Sequence, residues 1–337
     1  MKPSLRLLVA ALAACVLPAS AQITIPTVYV GNSGNANDTT GYGGVSYGYN
    51  IGTTEVTLSQ YATFLNAVAK TDTYNLYNPS MATDVNVAGI SRSGASGSYT
   101  YSVVGSGLRP VTYVNWFDSA RFVNWLQNGQ PTGLQAAGTT ETGTYALNGA
   151  TSGNSIVRAS AGLYSLPSES EWYKAAYYDQ ALNSGSGGYW LYPTRSSTVP
   201  DSRNGGSFAN SGNFIRDDGI ANGFNGGYAV NNSVIPPASN ALTDAGAFTL
   251  AGSAYGTFDQ GGNVWEWNDA AISTSRGIRG GSWSGNENVM RDTSRNSFSP
   301  TSENNIVGFR VVVPEPSVVG LMVLGAAILA WKRKRNV

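Results

Sequence analysis

Two acidic residues, Asp259 and Glu266, stand seven positions apart in the stretch DQGGNVWE, with Gly261 and Gly262 between them. Glycine permits a tight turn, so two carboxylates and the carbonyls between them can converge on one hard cation such as calcium. The same stretch also reads as a packing turn that shows Trp265 and Trp267 to a core, with Glu266 in an ion pair. Farther on comes Arg279-Gly280-Gly281-Ser282-Trp283, followed by Ser284 to Met290 without a thiol. The 337-residue chain has one Cys and no His. It therefore offers no thiolate pair for Cu(I) and no histidine base for a serine triad. Carboxylate chemistry is left: a pair of acids for glycoside cleavage, or an iron site from Asp217, Asp218 and Asp292. No spacing singles out such a pair, and Asp217-Asp218 read equally as a solvated turn.

Helices with strong start signals must position these residues. Thr57 with Gln60 forms a capping box, and Leu58, Tyr61, Phe64, Leu65 and Val68 then share one helical face. Asn115 caps a second helix that presents Trp116, Phe117, Ala120, Val123, Trp125 and Leu126 and stops at Gly129. Ser168 with Glu171 opens a third, with Trp172, Ala175 and Ala176 facing inward. Val45 to Val56 alternates as a strand pair, residues 71–108 read as loops and short hairpins, and residues 129–160 as a surface insertion ending in a hairpin. Residues 184–256 are Asn- and Gly-rich without clear helix. So long an irregular run needs another source of order.

In the order Tyr113–Leu126 (YVNWFDSARFVNWL), Leu163–Ala176 (LYSLPSESEWYKAA), Tyr255–Asn268 (YGTFDQGGNVWEWN), Arg279–Trp283 (RGGSW) and Asn305–Val311 (NIVGFRV), the chain resembles the formylglycine-generating enzyme, or sulfatase-modifying factor, family over about residues 45 to 313. The resemblance implies an α+β fold, a variant of the C-type-lectin fold with little regular structure, in which three or so helices surround short twisted sheets and bound calcium orders the loops. It implies a calcium held by the Asp259 side chain, the Gly262 and Val264 carbonyls and the Glu266 side chain. A second calcium would use Asn213 and the Phe214 carbonyl with a later acid or amide. It also implies a groove near Trp283, Arg291, Arg295, Asn305 and Arg310, whose aromatic, amide and guanidinium groups suit a peptide or a sugar. Arg295 and Arg310 read equally as residues that pin the C-terminal strand. The family's oxygen-dependent cysteine oxidation needs two copper-binding cysteines after RGGSW, and a related iron-dependent branch needs histidines from a further helical domain. This chain has neither, so structural calcium is expected and copper or iron is not.

The two ends read as addresses. Lys2 and Arg6, the apolar run Leu7–Leu17 and Ala19-Ser20-Ala21 have the layout of a secretory signal, residues 1–21, which takes the lone Cys15 with it. Pro314-Glu315-Pro316, an apolar stretch from Val318 to Trp331 and the basic cluster Lys332–Arg335 resemble a PEP-CTERM sorting signal, residues 314–337, whose partner is an exosortase. By hydropathy the segment is a short membrane helix with a stop-transfer tail. Six of the 20 Lys plus Arg and one of the 20 Asp plus Glu lie in these ends, so the body, 22–313, carries 14 basic and 19 acidic residues, near −5. That balance disfavours nucleic acid.

These features predict an exported protein of a bacterial cell surface, outer envelope or extracellular matrix, with a non-catalytic domain that binds a peptide or glycan. Two other readings stand beside it: a metal-dependent oxidase with displaced ligands, and an exopolysaccharide-processing enzyme.

Overall fold

The computed structural model describes residues 22–159, 164–202, 208–216 and 227–314. The leader, Asp217 and Asp218, Glu315 and Pro316, and the apolar stretch and basic tail beyond them lie outside the described residues. Among the described residues are five helices: α1 (Leu58–Val68), α2 (Ser80–Thr83), α3 (Trp116–Gln127), α4 (Glu169–Tyr177) and α5 (Leu182–Gly185). The three longer ones start where the capping signals place them. Thr57 Oγ1 accepts the Gln60 N–H while Gln60 Oε1 accepts the Thr57 N–H, and Asn115 with Asp118 and Ser168 with Glu171 repeat the exchange. Each exchange satisfies orphan N–H groups of a first turn, worth roughly 1 kcal/mol.

Packing follows from the apolar faces. Phe64 on α1 meets Phe122 and Trp125 on α3 at centroid distances of 5.4 and 5.3 Å, and Phe122 meets Phe309 at 5.3 Å. These rings join the helices to the C-terminal segment in one core. A four-stranded sheet runs in the order Asn296–Phe298, Ser275–Arg279, Trp265–Ile272, Val307–Gly308. Its last pair is parallel, with Gly308 opposite Glu266. Only glycine fits there, because a Cβ on Gly308 would sit 2.6 Å from the Val111 carbonyl. A three-stranded sheet orders Thr27–Val30, Tyr49–Gly52 and Val312–Pro314. The class is α+β with little regular structure, as expected.

Two expectations need correction. Val45 to Val56 is not a strand pair: only Tyr49–Gly52 is extended, and its partners come from Thr27–Val30 and Val312–Pro314. Residues 129–160 are not simply a surface insertion. Thr140, Glu141, Thr144, Tyr145 and Leu147 are buried, and Arg121 on α3 grips Glu141 through Nε and Nη2 at 2.7 and 3.0 Å. The predicted hairpin shrinks to one bridge, Tyr145 to Arg158. A Gly- and Thr-rich composition hid a segment that reaches the core through one acid and one tyrosine, which no apolar periodicity records. Among the described residues no helix is long and apolar enough to cross a membrane.

Candidate functional site

Three left-handed residues bend the chain at Asp259–Glu266. Asp259, Gly262 and Asn263 all adopt left-handed backbone, with φ of 59°, 87° and 59°. A Cβ on Gly262 would meet the Asn213 carbonyl at 2.3 Å, so the glycine is required by close approach as well as by φ. The turn delivers Glu266 into the interior, where it is fully buried.

There the carboxylate is already engaged. Glu266 Oε2 accepts Arg310 Nε at 2.5 Å and Trp172 Nε1 at 2.7 Å, and Oε1 accepts Arg310 Nη2 at 2.6 Å. Arg310, itself 0 % exposed, also donates through Nη1 to the Gly52 carbonyl and through Nη2 to the Phe258 carbonyl, both at 2.9 Å. The parallel register of Gly308 with Glu266 is what brings these two side chains together. Glu266 is thus the partner of a guanidinium rather than an open calcium ligand, which corrects that part of the expected ligand set. Arg310 takes the strand-pinning alternative and lines no groove.

Beside this pair lie two further acids. Glu55, just before the cap of α1, is 1 % exposed; its Oε1 accepts Asn263 Nδ2 at 3.3 Å, and its Oε2 is buried without a hydrogen-bond partner. Asp259 Oδ2 accepts the Gly246 N–H at 2.5 Å. Burial, then the Asp259 and Glu266 charges, push the Glu55 carboxyl well above its usual range, and burial pushes Asp259 up to about 6. Fully ionised, three carboxylates would face one guanidinium in a dry cluster, an excess of two negative charges. Such an excess is relieved by protons or by a cation. Among the described residues no three acidic, His or Cys side chains converge closely enough to hold a metal by themselves. Backbone carbonyls would have to complete any shell. Glu55 and Asp259, with backbone carbonyls, are hard oxygen donors of the kind a divalent cation takes. Glu55 was missed in the sequence, where the available signal was a lone acid in the apolar-flanked run TTEVTL.

Asn213, expected in a second calcium site, lies against the Asp259–Glu266 turn. Asn213 bridges to Gly262 in parallel fashion, and its Nδ2 donates to the Ala241 carbonyl at 2.9 Å and to Asn263 Oδ1 at 3.0 Å. Phe214 packs, fully buried, with Tyr192 and Met290. Asn213 therefore braces the Asp259–Glu266 turn.

The expected groove residues do not form one surface. Trp283 is 5 % exposed and donates through Nε1 to the Asn305 carbonyl at 3.1 Å, while Asn305 Nδ2 donates to Asp84 Oδ2 at 2.9 Å. Tyr113 donates to the same Asp84 oxygen at 2.6 Å; against the cost of burial, this bond, the Asn86 N–H and the Asn305 amide hold Asp84 below the usual carboxylate range. Arg295 instead forks onto Glu169 of α4, at 2.8 Å to each oxygen, and Arg291 stands 6.0 Å over the Tyr192 ring. Trp283 and Asn305 are neighbours; Arg295 and Arg310 are committed to Glu169 and Glu266, while Arg291 Nε is buried without a hydrogen-bond partner.

The model of the sulfatase-modifying factor enzyme 1-like domain matches residues 27–314. The chain belongs to this family. Among solved structures it is similar to Treponema denticola variable protein 1, with TM-score 0.47 and 18% identity over 88% of this chain and 97% of that one. It is similar to CarF, with TM-score 0.43 and 19% identity over 86% and 98% of the two chains. PvdO from Pseudomonas aeruginosa follows, at TM-score 0.41 and 17% identity over 86% and 92%. No curated protein matches the chain.

In this sulfatase-modifying factor domain, the segment after Trp283 holds one hydroxyl, Ser284, and a thioether, Met290, where the resemblance leads one to look for cysteines. Ser282 and Ser284 place their hydroxyls 3.3 Å apart, and the short 3₁₀ turn Glu287–Met290 sinks Met290 to 0 % exposure. Neither group deprotonates to a thiolate.

Proposed function

We propose that the protein is an exported binder of a peptide or glycan that uses the sulfatase-modifying factor scaffold without its cysteine oxidation. The observation that carries this reading is the segment after Trp283, where one serine, Ser284, and a buried methionine, Met290, stand in place of thiols. Electrons cannot be drawn from a substrate thiol through these groups, so the scaffold's remaining capacity is to hold a ligand. The leader at 1–21 supports export, and Pro314-Glu315-Pro316 with its apolar and basic followers supports sorting by an exosortase-type enzyme to the cell surface or matrix. The apolar stretch 318–331 would then be the membrane contact, retained or transient.

Calcium is part of the proposal as a structural ion. The Glu55 and Asp259 carboxylates, with the Gly262 and Val264 carbonyls, would hold it; the two negative charges in excess that full ionisation would leave beside Arg310 are what a divalent ion would relieve. Its contribution would be to bind the α1 cap to the Asp259–Glu266 turn.

The test is surface labelling of whole cells, with metal analysis and oxygen uptake on the purified protein given a thiol peptide. Surface-accessible protein with calcium and no uptake is expected. Stoichiometric copper with turnover of the peptide would overturn the reading.

A further inference from the structure

A cleft of about 820 Å³ opens between the Asn32–Thr39 loop and the hairpin of Tyr178–Asp179 with Gly188–Tyr189, away from every residue discussed above as a ligand or groove candidate. We propose that this cleft binds a neutral, hydroxyl-rich glycan segment. The proposal deepens the exported-binder reading and rests on it only for the source of the ligand.

The cleft's shape is set in advance. Asn35 Nδ2 donates to the Gly43 carbonyl at 2.8 Å and to the Tyr189 hydroxyl at 2.7 Å, and Tyr189 in turn donates to the Ala36 carbonyl at 2.7 Å. The two tyrosines press directly on glycine backbone. A Cβ on Gly43 would meet the Tyr189 ring at 2.6 Å, and one on Gly187 would meet the Tyr178 hydroxyl at 2.1 Å. A site that needs no rearrangement loses little entropy when it binds.

Its chemistry is that of a sugar site. Tyr189 packs edge-on against Tyr178 at 5.1 Å, and Tyr178 stacks on Tyr255 at 6.4 Å and 16°. Tyr189 is half-buried, so part of its ring forms an apolar wall for the C–H face of a pyranose. The side-chain amides are spent at one end only. Asn37 Oδ1 accepts the Gly44 N–H at 2.7 Å, which leaves its NH2 as a donor. Asn183 Nδ2 donates to the Gly187 carbonyl at 2.9 Å, which leaves its Oδ1 as an acceptor. Both residues are exposed, and a hydroxyl, which gives and takes one hydrogen bond, answers both.

Charge narrows the class. The lining carries one ionisable carboxylate, Asp38, and no cation; Asp38 is occupied by the Thr39 N–H and by the Tyr173 and Thr40 hydroxyls. Lys174 donates to the Asn32 carbonyl at 2.9 Å but is buried, so it does not present its charge to the cleft. Phosphorylated or uronate-rich ligands would find no counter-charge there.

The test is calorimetric titration of the full chain with neutral gluco-, manno- and galacto-oligosaccharides, with oligogalacturonate as the acidic arm. Ser186, exposed on the cleft wall, is changed to Trp to fill it, and Asn37 to Ala to remove the donor. At least one neutral oligosaccharide should bind. Ser186→Trp and Asn37→Ala should each weaken it about tenfold or more, the loss of one good hydrogen bond or more, at unchanged melting temperature. Lack of binding by every neutral oligosaccharide, tighter binding of oligogalacturonate, or affinity that survives Ser186→Trp would overturn the cleft. Affinity that survives Ser186→Trp but falls with Trp283→Ala would also overturn it while leaving the exported binder intact. Absence from the cell surface would sink that broader reading and leave the cleft standing.

Discussion

The Arg310 cluster and the Asn32–Thr39 cleft are made of the same materials, carboxylates, side-chain amides and aromatic rings with polar tips, and they differ in their access to water. Around Arg310 the donors of one guanidinium are matched to Glu266 and to carbonyls from residues 52 and 258, all buried. In the cleft, Asn37 and Asn183 each use one end of the amide on the chain and leave the other end outward. Dry polar groups must be satisfied internally or they destabilise the fold, so they become architecture. Wet ones lose nothing by waiting for a ligand, so they are available for recognition.

The sharpest way to break this contrast is Arg310→Ala. Removing one partner of a buried pair strands the Glu266 carboxylate and should cost roughly 3 to 5 kcal/mol, read by chemical denaturation. A loss below about 1 kcal/mol would mean the cluster is hydrated after all. Calcium comes next. With the ion in hundredfold excess over its Kd, wild type should gain about 3 kcal/mol, reversed by chelator, and the Glu55→Gln, Asp259→Asn double variant should gain nothing. Equal response of both proteins would remove the ion from this place.

A smaller effect belongs to pH. Burial pushes the Asp269 carboxyl up to about 6 even though Arg158 and Arg276 stand near it, and burial also raises Asp72, Asp118 and Asp292. A carboxyl raised in the fold adds stability below its unfolded value and loses it as pH climbs through the folded one. The protein should therefore melt higher near pH 5 than near pH 7.5, with part of the slope gone in Asp269→Asn; the opposite slope would contradict the assignment. Smallest of all, Asn37→Ala and Asn183→Ala should each change stability by no more than about 0.5 kcal/mol. A large loss from either would make the cleft wall part of the architecture.

Much of the frame was legible because its signals are local. The three capping boxes and their apolar faces fix helices wherever they occur, and Gly262 with the residues around it announces a tight turn. Glu266 was visible as a special acid, but its partner was not: a carboxylate that meets Arg310 looks in the sequence like one that meets calcium. The partners of Glu55, Asn263 and Trp172 were unreadable for the same reason, since they join the cluster over separations of 208 residues for Glu55–Asn263 and 94 for Trp172–Glu266. The sequence left two readings open at Arg310 and Arg295, and the structure pairs them with Glu266 and Glu169, because position in a motif does not reveal which way a long side chain finds its charge.

By itself the sequence determined the family, the three main helices, the sharp turn before the central strand and the lack of any cysteine or histidine beyond Cys15. Each is a matter of residue type or of neighbours within a few positions. Tertiary structure alone decided which acids share the dry space around Arg310, that residues 140 to 147 enter the core, and that the Asn-rich loop and the tyrosine hairpin face each other across a cleft. Those outcomes depend on burial and on contacts between distant segments, and burial, not residue identity, decides whether a polar group serves the fold or remains open to a ligand.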